Sequence, residues 1–263
     1  AYLDGAEFAS GDGSQLWSHV GDIGIGAVSD DTKFHDGNLI GDGAYFAGEL
    51  DDVRVYNRVL TPGDVYNLAD DPVAPESALW LSFNDETEEE TDAGALAAMT
   101  NAAADSPGEP VTASAMKKAS DTAPTGAPDD AGVYTDGLVA HWKLNDGSGI
   151  TAVDSSPDGR DNPGTLQGGP EWTATGLNGA LWFDGSDDVI SVADTPDINV
   201  GVHAKRTITA WFKADDTSLS ARKQVIYEEG GGARGLSIYL YDGYLYVAGW
   251  NGAGSESNWD GTF

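Results

Sequence analysis

Carboxylates set beside glycine are the groups of this chain best placed to do chemistry, and the chemistry they suit is the binding of a hard cation. Calcium takes carboxylate and backbone oxygens, and turns at strand ends bring such groups together. The DGSG and GDGS fragments do not complete the loop spacing of an EF-hand. Acid catalysis has no comparable signal. Glycoside hydrolysis needs two carboxyl groups facing one bond, yet the densest acidic groups, Glu228-Glu229 and the run Glu86 to Asp92, lie beside glycine or in a polar spacer. The four histidines, His19, His35, His141 and His203, are scattered without metal spacing and read as polar surface or strand-end residues. No Gly-x-Ser-x-Gly elbow and no phosphate-binding loop occurs. Of the eight tryptophans and ten tyrosines, Trp142, Trp182 and Trp211 sit in strand patterns and are expected to fill a core. Trp250, Trp259 and Tyr244 are expected at the surface, where aromatic faces stack on sugar rings or pack on a neighbour.

The elements that must position these groups are strands. Apolar and polar residues alternate at Val189, Ile190 and Val192, at Ile208, Ala210 and Phe212, and at Leu236, Ile238 and Leu240. The segment Ser237 to Trp250 carries Asp242-Gly243 between two alternating arms, which predicts a two-residue hairpin. Thirty-five glycines punctuate the runs. Helix is predicted in two places. Thr61 followed by Pro62 and Asp64 reads as an N-cap with proline at the first helical position, continuing through Leu68. Asp92 to Ala104 is alanine-rich and lacks an apolar stripe.

With 263 residues the chain is long enough for one large all-β domain or two small ones. Thirteen basic against 44 acidic residues give a net charge of −31. That charge repels nucleic acid and anionic membranes, and favours solubility and cations. Cysteine is absent, so thiols and disulfides contribute nothing. No secretory leader is recognisable at Ala1, and no apolar run approaches the ~18 residues of a spanning helix; membrane insertion is not expected.

Residues 84–135 differ from both flanks, being rich in Ala, Ser, Thr, Pro, Asp and Glu. They read as a spacer that repels itself, or as a surface stalk suited to O-linked glycans, because the sequence has no Asn-x-Ser/Thr acceptor. Within 76–135, ALWLSFND (Ala78 to Asp85) echoes GLVAHWKLND (Gly137 to Asp146), an apolar strand followed by Asn-Asp. It is either a vestigial opening strand or a free strand able to add to a sheet edge in a neighbour.

Several motifs together carry a family resemblance. The stretch YFAGELDDVRVYNRVLTPGDVYNLA (Tyr45 to Ala69) looks like the closing strand and turn of a laminin-G-like module, with AYLDGAEF (Ala1 to Phe8) and GDIGIGAVS (Gly21 to Ser29) preceding it. GLVAHWKLNDGSG (from Gly137), GALWFDGSDDVISV (from Gly179) and RTITAWFKAD (from Arg206) resemble its opening, early and central strands. The chain thus resembles a concanavalin-A-like sandwich of the laminin-G-like and pentraxin type, written in reversed order: residues 1–75 as the C-terminal half, 76–135 as linker, and 136–263 as the N-terminal half. The Trp-His-His-Val-like strand that family members carry between the segments ending at Phe263 and starting at Ala1 has no equivalent, and the chain reads as beginning and ending inside a domain.

The resemblance implies an antiparallel jelly-roll β-sandwich. It is completed either within one chain, as a circular permutant, or between consecutive copies. It also implies a structural calcium, with Asp146, Asp184 with Gly185, and Asp51 or Asp52 as ligands and Asp187 and Asp188 in reserve. The Glu-x-Asp-x-x-Glu strand of laminarinase-type hydrolases, which share this kind of sandwich, is absent. The expected function is therefore non-enzymatic: an extracellular or cell-surface structural and adhesive protein, a repeating fibre subunit whose partners are copies of itself. The alternative is a calcium-dependent carbohydrate-binding module of a larger secreted protein.

Overall fold

The computed structural model describes residues 1–8, 16–36, 38–41, 43–69, 78–84, 111–112, 135–157, 160–174, 179–251 and 259–262. The helix expected over Asp92 to Ala104 and most of the spacer lie outside them. Among the described residues the protein is nearly all β, with every strand pairing antiparallel and one helix, Pro62–Ala69. The first sheet runs Glu171–Thr173, Ala180–Asp184, Ala47–Tyr56, Lys205–Ala214, Ala78–Asn84, Tyr2–Leu3, Ala6–Glu7, and Leu138–Trp142 pairs with the far end of Ala47–Tyr56. The second runs Thr151–Ala152, Gly164–Gln167, Val189–Val192, Ile23–Ile25, Gln224–Gly231, Arg234–Tyr241, Tyr244–Asn251, Trp259–Thr262, with Val111–Thr112 pairing to Tyr244–Asn251. A small hairpin, Thr32–Lys33 with Leu39–Ile40, is hydrogen-bonded to neither sheet and packs on the outer face of the second, where Phe34 meets Val225, Tyr239 and Tyr246.

Strands from the two ends of the chain alternate within each sheet. Ala47–Tyr56 is bonded to Ala180–Asp184 and Leu138–Trp142 on one side and to Lys205–Ala214 on the other. Ile23–Ile25 lies between Val189–Val192 and Gln224–Gly231. The largest apolar cluster follows the same rule, joining Ile23, Ile25, Leu50, Val53 and Val55 to Trp142, Phe183, Ile190, Ile208, Ile226 and Ile238. The segment Ala78–Asn84, expected as a free or vestigial strand, is inserted between Lys205–Ala214 and Tyr2–Leu3.

Local chemistry accounts for the ends of the elements. Asp242 and Gly243 take φ of 50° and 81°, as a type I′ turn requires, and pair Tyr241 with Tyr244. At the helix, Thr61 Oγ1 accepts from the Asp64 N–H at 3.1 Å while the Asp64 carboxylate accepts from the Thr61 N–H at 3.0 Å, a reciprocal cap with aspartate at the third position. The helix covers the outward side of the first sheet, where Leu60, Val65 and Leu68 meet Tyr56, Leu138 and Trp211. Trp211 therefore fills this outer cluster, and only Trp142 of the three expected core tryptophans lies between the sheets. Trp182 is half-buried, because it alternates with Leu181 and Phe183, which face the core.

Candidate functional site

The sequence-predicted cation ligands do not converge. Asp184 lies opposite Ala47, so Asp51 and Asp52 stand about 13–16 Å further along that strand at ~3.3 Å per residue. Asn145, the neighbour of Asp146, packs against Gly179 at the other end of Ala180–Asp184, and Asp146 accepts from the Val153 N–H. The group that does converge is Asp184 with the two reserves, Asp187 and Asp188, whose oxygens lie within 4.8 Å of one another. The turn is built by Asp188, which accepts from the Asp184 N–H at 2.7 Å, and by Asp184, which accepts from the Ser186 N–H at 2.7 Å. Burial, with Asp184 and Asp187 adding like charge, pushes the Asp188 carboxyl above its ordinary range. Three carboxylates in a strand-end turn match the oxygen chemistry of a hard cation. Gly185 contributes its carbonyl to the Arg222 guanidinium, which offsets part of the negative charge there.

Asp52 has a different role. A bulge opposite Ala210 places it beside His141 and Arg54. Its Oδ1 accepts from His141 Nε2 at 2.6 Å and Arg54 Nε at 3.1 Å, and its Oδ2 takes Arg54 Nη2 at 2.8 Å. Burial raises the Asp52 carboxyl, but Arg54 and His141 outweigh it and hold the group below its ordinary value. Burial lowers the His141 imidazole more than Asp52 raises it, and its Nε2 lies 2.6 Å from the Asp52 carboxylate and 3.2 Å from the Arg54 Nε–H, of which one tautomer can bond only one. This constellation was missed in the sequence because Asp52 and His141 are 89 residues apart. Asp51 is buried at 2% exposure.

Glu228 and Glu229, which the sequence sets beside glycine, lie in a strand, Gln224–Gly231, and both are fully buried. Consecutive residues of a strand point to opposite faces. Glu229 faces the inter-sheet core, where the Tyr227 hydroxyl donates to its Oε2 at 3.2 Å and Arg206 lies at 3.7 Å. Glu228 faces outward under the chain that folds back at Ser29, whose N–H donates to it at 2.9 Å. They cannot flank one glycosidic bond.

The aromatic group centres on the hairpin arms. Tyr239, Tyr241, Tyr244 and Tyr246 share the outer face of the second sheet, in register as Tyr239 with Tyr246 and Tyr241 with Tyr244. Tyr239 and Tyr246 stack at 5.0 Å, and His35 stacks on Tyr246 at 4.2 Å while its Nδ1 lies 2.6 Å from the Tyr239 hydroxyl. Lys223 Nζ sits over Phe34 at 4.7 Å and over Tyr241 at 5.2 Å, and pairs with Asp36 at 2.7 Å. Asp36 also accepts from Asn38 Nδ2 at 2.7 Å. Tyr241, Tyr244 and His35 remain half-buried, whereas Tyr239 and Tyr246 are buried. Tyr244 thus belongs to this half-buried aromatic group, and the repeated Tyr-x-Tyr of both arms was the sequence signal for the rest. Trp250 is not at that surface. It is 3% exposed, with its indole N–H donating to the Gly231 carbonyl at 2.9 Å. Trp259 lies on the strand paired beside it, and its side chain is outside the described set.

Comparison with protein-family models, with curated proteins and with solved structures gave no match. Among the described residues, no helix is long and apolar enough to cross a membrane.

Proposed function

We propose that this protein is a non-enzymatic structural and adhesive subunit of the cell exterior. Its jelly-roll sandwich, of the concanavalin-A-like, laminin-G-like kind, is made from two complementary blocks, 1–75 and 136–263, so that consecutive copies join into a fibre or tandem array. The observation that carries this reading is the alternation of strands: Ala47–Tyr56 and Ile23–Ile25 from the first block are interior to sheets otherwise built largely by the second. A block whose central strands come from elsewhere can take them from its own chain or from a neighbour. The spacer, on this reading, sets the distance between modules and carries any O-linked glycans.

Calcium is proposed to stiffen the turn Asp184 to Asp188. The measurement that decides the assembly reading is the light-scattering mass of the purified chain with calcium and with chelator. Multimers that grow with concentration support a subunit; a compact monomer indifferent to calcium sinks it. Calcium alone is checked by titration calorimetry, where Asp187→Asn should weaken binding by at least about tenfold, ~1.4 kcal/mol.

The aromatic group favours a second reading, glycan binding. Half-exposed Tyr241 and Tyr244 offer stacking faces, and Asp36, Asn38 and Lys223 offer polar groups at their rim. Retardation of the chain in gels containing soluble polysaccharides, abolished in Tyr241→Ala/Tyr244→Ala, is the expected result. Equal migration with and without every polysaccharide would exclude it.

A further inference from the structure

We propose that Ala78–Asn84 is the element exchanged between copies: in the assembled series, this strand of one copy fills the slot between Lys205–Ala214 and Tyr2–Leu3 of a second copy. The inference rests on the subunit reading above and names its connecting part. The slot joins the two blocks, since one wall is a strand of the later block and the other a strand of the earlier block. Seven consecutive register pairs tie Ala78–Asn84 to Lys205–Ala214. Without it, a ten-residue strand would present an open edge, the usual template for a strand from another chain.

Tether lengths point to exchange. Ser82 is opposite Thr207, Thr207 opposite Tyr56, and Tyr56 opposite Leu138. Three strand spacings therefore separate Ser82 from Leu138, about 14 Å. The 53 residues from Asp85 to Gly137 are held at one place, Val111–Thr112 on the second sheet, and the 26 residues before it and the 25 after it can each span ~80 Å, several times that separation. On the other side, the eight residues from Asp70 to Ser77, between the helix and the strand, reach ~26 Å when extended. That is enough to carry the strand off its own sheet. Main-chain bonding also suits a chain of net charge −31, because strand addition binds through the backbone rather than through attraction between surfaces.

The absence of cysteine makes the test clean. Asn84 and exposed Lys205 are register partners at the strand end, and such pairs hold Cα atoms at ~4.5–5.5 Å, within disulfide range. Asn84→Cys and Lys205→Cys are made as separate full-length chains, refolded together, oxidised and run on non-reducing gels beside the double variant. Exchange predicts a covalent heterodimer from the mixture, above the background of each variant alone, and a ladder of linked multimers from the double variant. The proposal is overturned if the mixture gives no heterodimer, whether the double variant closes only on itself or does not cross-link. Light scattering of the unsubstituted chain separates the two readings. Multimers without the heterodimer remove this strand's role and leave the subunit; a monomer without it removes both.

Discussion

Glu228 lies in an environment that opposes its charge. Burial, with Asp30, Asp22 and Glu229 adding like charge, pushes its carboxyl well above the ordinary value of 4.5 against the opposing bond from Ser29. The folded chain therefore holds this proton more tightly than the unfolded one. Its contribution to stability is complete below pH ~4.5 and is lost as pH rises through the folded value. Glu228→Gln keeps the acceptor for Ser29 and removes the titration, so the stability gained by the variant over the parent should grow between pH 5 and pH 8. Urea unfolding at both values checks it, and a constant difference would contradict the assignment. His203 slopes the other way. Burial, then Arg206 and His19, lower it to about 4. Stability from this group is intact above pH ~6.5 and declines as pH falls towards 4, where the unfolded chain gains a proton and the folded chain does not. His203→Asn should flatten the decline over that interval in the same titration.

At the scale of elements, the turn and cap signals were legible because they are local: Asp242-Gly243 needs only its own backbone, and Thr61-Pro62-x-Asp64 only four residues. Thr61→Ala should cost about 1 kcal/mol, read as a shift in the urea midpoint at unchanged slope. What joined distant segments was not legible. Tyr-x-Tyr on both arms announces a shared face, but nothing in either arm announces that His35 and Lys223 close over it. The cation ligands were assigned from three strands, whereas the turn Asp184 to Asp188 gathers its three carboxylates within five residues. The extent of each strand was also hidden. Glu228 and Glu229, next to three glycines, continue a strand because Ile23–Ile25 supplies partners from the other end of the chain. Gly48 records the same long-range packing. Its φ is 138°, and a Cβ there would lie 2.1 Å from the Lys213 carbonyl oxygen, which is backbone and cannot yield. Gly48→Ala should destabilise by about 3 kcal/mol or more, and a loss below ~1 kcal/mol would mean that the two strands do not meet there.

At the scale of the molecule, both sheets depend on strands from both ends, and one apolar cluster spans them. Such a core has no boundary at which one block could unfold and leave the other intact, so denaturation should be a single transition by fluorescence and circular dichroism alike. The net charge of −31 opposes compaction, and added salt should raise the midpoint by screening it. Cutting the covalent connection makes the stronger test. With a protease site inserted at Gly126, cleavage leaves fragments of about half the chain each, one holding Ala47–Tyr56 and the other its neighbours on both sides. If the strands alternate as described, the fragments should co-elute on size exclusion at low denaturant, retain the spectrum of the uncut chain, and separate only in the concentration range where that chain unfolds. Fragments that part in dilute buffer while each keeps its own sheet signal would show that the two ends fold around separate centres, and the alternation of strands would be wrong.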